Sequence, residues 1–189
     1  VRPEHEIIFY SQRHMPRPEG MTVPQLAQAK GLLGLVAVLL APGLPMIYAG
    51  QEFGEDAPRT IDFQPLHWNK LQQANHHDYF RQIKRLVAAR RSHAAVTSDN
   101  IRFYRNDFAQ EQVVRFDRFL CNEQTQTPLD FVAVALNFGE RVREAELTLP
   151  WPGRWRDLIS DTPYQVEQSC WLTLAPWQAV VLVYEGKHT

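Results

Sequence analysis

The sequence predicts an α/β segment followed by an all-β domain, and three observations carry that prediction. Two short apolar runs, Glu6–Tyr10 and Met46–Tyr48, flank a helical stretch that is apolar on every side. That is the pattern of parallel strands buried on both faces and joined by a crossover helix. A second helical stretch, amphipathic this time, runs from about Asn75 to His93. After Val96 the helical period vanishes, and short strand-like runs recur between turn residues, as in an antiparallel β-sandwich. The boundary is placed near Val96 to Asn100, dividing the chain into 1–96 and 97–189.

The elements follow in order. Ile7-Ile8-Phe9-Tyr10 forms the first buried strand, and Ser11 to Met21, with Pro16, Pro18 and Gly20, is a loop. Thr22 and Gln25 have capping-box spacing, and Pro24 lies in the first turn, where its missing N–H costs little. The helix so started runs to about Leu40 and ends at Pro42-Gly43-Leu44-Pro45. Met46-Ile47-Tyr48 reads as the second strand and opens into Ala49-Gly50-Gln51-Glu52-Phe53-Gly54 and a loop through Trp68. In the second helix Asn75 is the expected N-cap, with Asp78 three residues on. Tyr79, Phe80, Ile83, Leu86 and Val87 form its apolar face, and Arg81, Lys84, Arg85, Arg90 and Arg91 read as a solvated basic face. Strands are expected at Ile101–Arg105, Gln112–Phe119, Phe131–Leu136 and Glu144–Leu149, then at Trp155–Ile159, Tyr164–Glu167, Trp171–Leu174 and Ala179–Tyr184.

Composition excludes several classes. The 20 basic and 21 acidic residues give a net charge of -1, so nothing electrostatic points to nucleic acid or an anionic membrane. Cys121 and Cys170 make neither a disulfide framework nor a zinc spacing, although one bridge between them stays open. No cofactor motif is present. The apolar core of the first helix, Gly31 to Ala41, reads as a buried helix, being about half the length a bilayer needs. No cationic leader precedes an apolar segment, so a cytoplasmic location is expected. His76-His77-Asp78 invites a metal reading, but adjacent histidines diverge by about 100° on a helix, and no metal is expected there.

Leu32 to Gly54, through Pro42-Gly43-Leu44-Pro45, Met46-Ile47-Tyr48 and Gly50-Gln51-Glu52-Phe53-Gly54, resembles the α-amylase family. There the penultimate barrel helix, a Pro-Gly-x-Pro turn, the eighth strand and a Gly-Gln/Asp-Glu-x-Gly loop follow in this order. Tyr79 to His93 resembles the last barrel helix. Val113–Arg118, Val132–Phe138 and Leu174–Trp177 resemble strands of that family's C-terminal β domain. The resemblance implies a (β/α)8 barrel whose last units lie in 1–96, followed by a β-sandwich domain, in an enzyme acting on α-glucans.

It also implies a mechanism. Retaining glycoside hydrolysis needs a nucleophilic and an acid/base carboxylate roughly 5–5.5 Å apart. In the family these are an Asp and a Glu on middle barrel strands, which would precede Val1. A third Asp follows the seventh strand, and here the matching stretch reads Phe9-Tyr10-Ser11-Gln12-Arg13-His14-Met15-Pro16-Arg17. His14 thus stands where the family has its transition-state-stabilising Asp, and an imidazole cannot supply that anion. The expected function is the C-terminal segment of an α-glucan glycosidase or glucanotransferase, not catalytic alone. The alternative is a catalytically degenerate, carbohydrate-binding or regulatory relative. Arg17, Gln51, Glu52 and Trp68 are the expected substrate-binding residues. Glu52 can equally hold its own loop, and Trp68 can equally pack beneath it. Trp151, Trp155, Trp171 and Trp177 are expected mainly in the core, an exposed pair being the alternative.

Leu32, Leu33, Leu35, Val36, Val38, Leu39 and Leu40 require cover. Each gains about 1.5–3 kcal/mol on burial, roughly 10–20 together, which rivals the stability of a whole domain at about 5–15 kcal/mol. A partner is therefore expected over Leu32–Leu40: the upstream barrel portion or a second copy.

Overall fold

The computed structural model describes residues 18, 20–57, 65–105 and 108–186. The expected first strand, His14 and Arg17 lie outside these residues.

Helix α1 spans Val23–Leu40. Its start is the expected capping box: the Thr22 N–H donates to Gln25 Oε1 at 2.9 Å and the Gln25 N–H to Thr22 Oγ1 at 3.5 Å. By length and composition the helix would pass as a membrane span. The protein's own core takes up much of that apolar surface instead. Of the seven side chains from Leu32 to Leu40, six are buried and only Val38 is exposed. The demand for an external cover on this helix is correspondingly small.

The expected strand at Met46–Tyr48 is not formed. Its backbone is drawn into the next turn: the Tyr48 N–H donates to Gln51 Oε1 at 2.7 Å, and the Tyr48 carbonyl accepts the Gln51 N–H at 2.9 Å. No strand of either sheet lies beside it among the described residues, so a parallel β/α unit is not seen there. Leu44 and Met46 are 101% and 75% exposed.

Helix α2, Ala74–Ser92, begins one residue before the expected cap, so Asn75 lies inside its first turn and no side chain caps it. The start is set by the preceding 3-10 turn, Trp68–Gln72, through the Gln73 N–H to Lys70 carbonyl bond of 2.9 Å. The basic face is also not wholly solvated. Arg85 donates to the carbonyls of Leu158 and Ile159 at 3.4 and 3.3 Å. Arg90 reaches those of Leu39 and Ala41 at 2.7 and 3.2 Å, and that of Gly43. These last are orphan groups at the end of α1, whose final turn has no basic residue of its own. A short helix α3, Ala94–Thr97, follows, and another, α4, Phe108–Glu111, interrupts the strands.

All eight expected strands are present: β1 Ile101–Phe103, β2 Val113–Cys121, β3 Pro128–Asn137, β4 Arg143–Thr148, β5 Gly153–Asp157, β6 Pro163–Val166, β7 Ser169–Leu174 and β8 Ala179–Tyr184. Every ladder among the described residues is antiparallel. The six-stranded sheet runs β1-β2-β3-β8-β5-β6, and β4-β7 forms a separate pair.

Period-two alternation divides two cores across the large sheet. Val132, Val134, Leu136, Val181 and Val183 pack with Leu33, Val36 and Leu40 of α1 and Tyr79, Ile83 and Leu86 of α2. Ala133, Ala135, Val180 and Leu182 face Ala145, Leu147, Leu172 and Leu174 of the β4–β7 pair, together with Trp155. The architecture is therefore helices, a six-stranded sheet and a two-stranded sheet in layers. Ala95 and Val96, at the expected domain boundary, are buried in the same core as Leu39 and Val134. Cys121 and Cys170 are both free.

Asp117 on β2 is fully buried, and its Oδ1 has no hydrogen-bond partner among the described residues. Burial pushes its carboxyl up to about 6, against the opposing pull of the Arg102 guanidinium, whose Nε donates to Oδ2 at 2.9 Å. A raised carboxyl favours the folded state while protonated, so this contribution is full below about pH 4 and is lost as pH rises through about 6. Asp117→Asn is expected to abolish that loss and raise the denaturant midpoint at pH 7 relative to the wild type, with little difference at pH 4.

Candidate functional site

The expected site residues that are described lie in one loop cluster between α1 and α2. The chain turns at Gly50 and Gly54, both in the left-handed region with φ 98° and 71°. Gly50 is required twice over, because a Cβ there would stand 2.8 Å from the Glu55 Cβ. Between them Gln51–Phe53 makes a single 3-10 turn. Gln51 is buried, and its side-chain Oε1 is taken by the Tyr48 N–H. Glu52 Oε2 accepts the Gly50 N–H at 2.7 Å, so one of its oxygens holds the loop. Phe53 is buried beneath the turn, and Trp68 lies against it, ring centroids 4.9 Å apart and planes at 40°. Trp68 remains 54% exposed.

Glu55, which sequence reading passed over, is the anchor. It is buried, and its carboxylate accepts N–H bonds from Asp56, Ala57 and His67 at 3.1, 3.2 and 2.8 Å. His67 Nδ1 and Lys70 Nζ each approach to 3.0 Å. Burial alone would raise its carboxyl, but the His67 N–H, the Lys70 ammonium, the Ala57 N–H and the His67 ring outweigh it and hold the group at about 2. Lys70 also pairs with Asp56, and these two carboxylates overcome burial to raise its ammonium above the ordinary value. Glu55 is thus a permanent structural anion with no proton to give near neutrality. The only local signal for it was an acid directly after the second glycine.

His76 is buried, and its Nδ1 lies 2.7 Å from the Phe53 carbonyl, joining α2 to the turn. His77 points elsewhere, 3.9 Å from Asp78. Among the described residues no group of three His, Cys, Asp or Glu side chains is arranged to hold a metal ion. The cluster therefore offers a rigid platform that carries a partly exposed carboxylate, Glu52, and an aromatic face, Trp68. Neither belongs to a pair of carboxylates among the described residues, and both present surface to solvent.

No protein-family model and no curated protein matches this sequence. Solved structures do match its fold. A pullulanase from Anoxybacillus sp. LM18-11, complexed with maltotetraose, is 20% identical with a TM-score of 0.58, over 83% of this chain and 23% of that one. An Anoxybacillus α-amylase is 15% identical with a TM-score of 0.63, over 86% of this chain and 34% of that one. A debranching enzyme from Nostoc punctiforme is 19% identical with a TM-score of 0.57, over 82% of this chain and 31% of that one. At such identities the likeness is one of fold, and this chain spans about a quarter to a third of those enzymes. A match to most of this chain and to so limited a part of theirs fits the C-terminal part of the α-amylase family that its motifs resemble.

Proposed function

We propose that this chain is the C-terminal segment of an α-glucan glycosidase or glucanotransferase. It supplies part of the active-site rim and a stabilising β domain, and the catalytic Asp and Glu are carried by an upstream barrel portion. The observation that carries the reading is the shared fold with a pullulanase, an α-amylase and a debranching enzyme, the first of them holding a maltooligosaccharide. Leu44 and Met46 support it: they stand exposed where the resemblance places the eighth barrel strand, and a strand edge there would cover them. On this reading 1–96 closes the (β/α)8 barrel, 97–189 is the C-terminal domain, and Glu52 and Trp68 contact the glucan with Arg17, while Gln51, expected as a fourth contact, is buried and holds the turn instead. The chain alone is expected to show no turnover of starch-type substrates. Mixed with a barrel portion bearing both carboxylates, it is expected to co-purify and to protect Met46 from oxidation. Hydrolysis by the isolated chain, or failure to associate, counts against the proposal.

His14, in place of an Asp, favours a second reading as a binding relative without activity. Maltotetraose binding by the assembled protein with no turnover is the result that selects it.

A further inference from the structure

The turn between β7 and β8 carries an unexpected residue. Ala175 to Gln178 is closed by the Gln178 N–H to Ala175 carbonyl bond of 3.2 Å, with Pro176 second and Trp177 third at φ 58°. That third position, with positive φ, favours glycine or asparagine. Trp177 bears a further cost, because its indole N–H is buried without an acceptor among the described residues. The side chain is nevertheless fixed, with the Lys30 ammonium 4.0 Å from the ring centroid.

Trp177 lines a cleft of about 400 Å³ between the two long helices and this turn. Asn75, Asp78, Tyr79 and Gln82, at helical spacing on one face of α2, line a second side. Gln28 of α1 lies on a third. The amides of Gln28, Asn75 and Gln82 make no hydrogen bond among the described residues, so each has donors and an acceptor to offer. Asp78 is largely exposed, with Arg81 at 3.6 Å. Among the described residues no lysine or arginine lines the cleft, and its remaining walls include Leu32 and Pro176.

From this lining we infer that the cleft binds a short neutral oligosaccharide. A sugar hydroxyl is both donor and acceptor, and so is a carboxamide. The C–H face of a pyranose suits an indole and a proline. An anion would find the neighbouring cations already engaged, Arg81 with Asp78 and Lys30 over the Trp177 ring, and a purely apolar ligand would leave three amides desolvated. The volume falls within the range of small-molecule clefts, about 300–1,000 Å³, near its lower end. The ligand class follows from the lining, and only the choice of probe rests on the α-glucan reading.

The test is titration of the full chain with maltotriose and, separately, cellotriose, following side-chain amide NMR signals and indole fluorescence. Maltotriose is expected to shift the amides of Gln28, Asn75 and Gln82. Gln82→Ala and Trp177→Phe are each expected to weaken binding at least fivefold, whereas Trp171→Ala, on the exposed face of the β4–β7 pair, leaves it unchanged. Equal response to both sugars supports the cleft and counts against the α-glucan reading. Response to neither, or wild-type binding by the Gln82 and Trp177 variants, overturns the cleft and leaves the barrel-association test standing.

Discussion

Arg118→Ala is expected to lower the unfolding free energy by about 3 kcal/mol, because three carbonyls lose their donor together. Arg118 lies on β2, fully buried, and donates to the carbonyls of Leu40, Ser98 and Asn100, the last at 3.0 Å from Nε. Burial, and then the neighbouring Arg90 charge, holds its guanidinium below the usual range. The charge is therefore expensive to keep, and its removal gives back part of what the lost bonds cost, which holds the net effect near the middle of the range for disrupted buried networks. Arg118→Lys is expected to recover little, since one ammonium cannot span three carbonyls presented to a planar fork. Arg118→Met, which keeps most of the volume, separates packing from hydrogen bonding. The measurement is the urea midpoint at constant slope. A change below about 1 kcal/mol in the alanine variant would show that water satisfies those carbonyls equally well.

Glu55→Gln is expected to cost roughly 2–3 kcal/mol at pH 7, and its signature is the pH dependence. The folded carboxyl is held at about 2 against an ordinary 4.5. A depressed carboxyl means that the unfolded chain binds the extra proton first. The stabilisation is therefore full above about pH 4.5 and drains away as pH falls through about 2. The wild type should lose stability across that window, while the glutamine variant should lose less, the remaining slope coming from groups such as Asp130, which, against burial, His93 and the Ala95 N–H hold below the ordinary range. Asp117 acts with the opposite sign at higher pH, so the two groups are separable by denaturation at pH 7, 4 and 3. The fluorine NMR signal of Trp68 in fluorotryptophan-labelled protein, resolved from those of the other four tryptophans, reports whether the loop platform loosens before the cores do.

The strands were legible because their information is local. Ala145-Glu146-Leu147-Thr148-Leu149 alternates, and Pro150-Trp151-Pro152 interrupts the ladder before Gly153 opens the next strand, so β4 and β5 announce themselves. The capping box at Thr22 and Gln25 is local in the same sense. Met46–Tyr48 misled because an apolar triplet specifies burial but not a partner strand, and the described residues hold none beside it. Arg90 misled because helical spacing places it with exposed basic residues, whereas its acceptors lie at the end of another helix about fifty positions earlier. Glu55 was invisible for the same reason: His67 and Lys70 reach it from twelve and fifteen residues away. Of the loop cluster, the sequence singled out Gln51, Glu52 and Trp68 but not the buried ion, Glu55, beside them.

The pairing of β4 with β7 alone sets an order of disassembly. A two-stranded ribbon has little stability by itself, and this one is retained by its inward side chains and by bonds from the Tyr104, Arg115 and Asn137 side chains to its backbone, rather than by ladder bonds to the larger sheet. If it lifts, Ala133, Ala135, Val180 and Leu182 face water at once. The hydrogen bonds of β3 and β8 and the helical side of the sheet stay intact at that moment. The molecule thus has a weak shell over one face of a strong middle layer, and its first partly unfolded state is one that exposes sticky small aliphatic residues while keeping most of its strands.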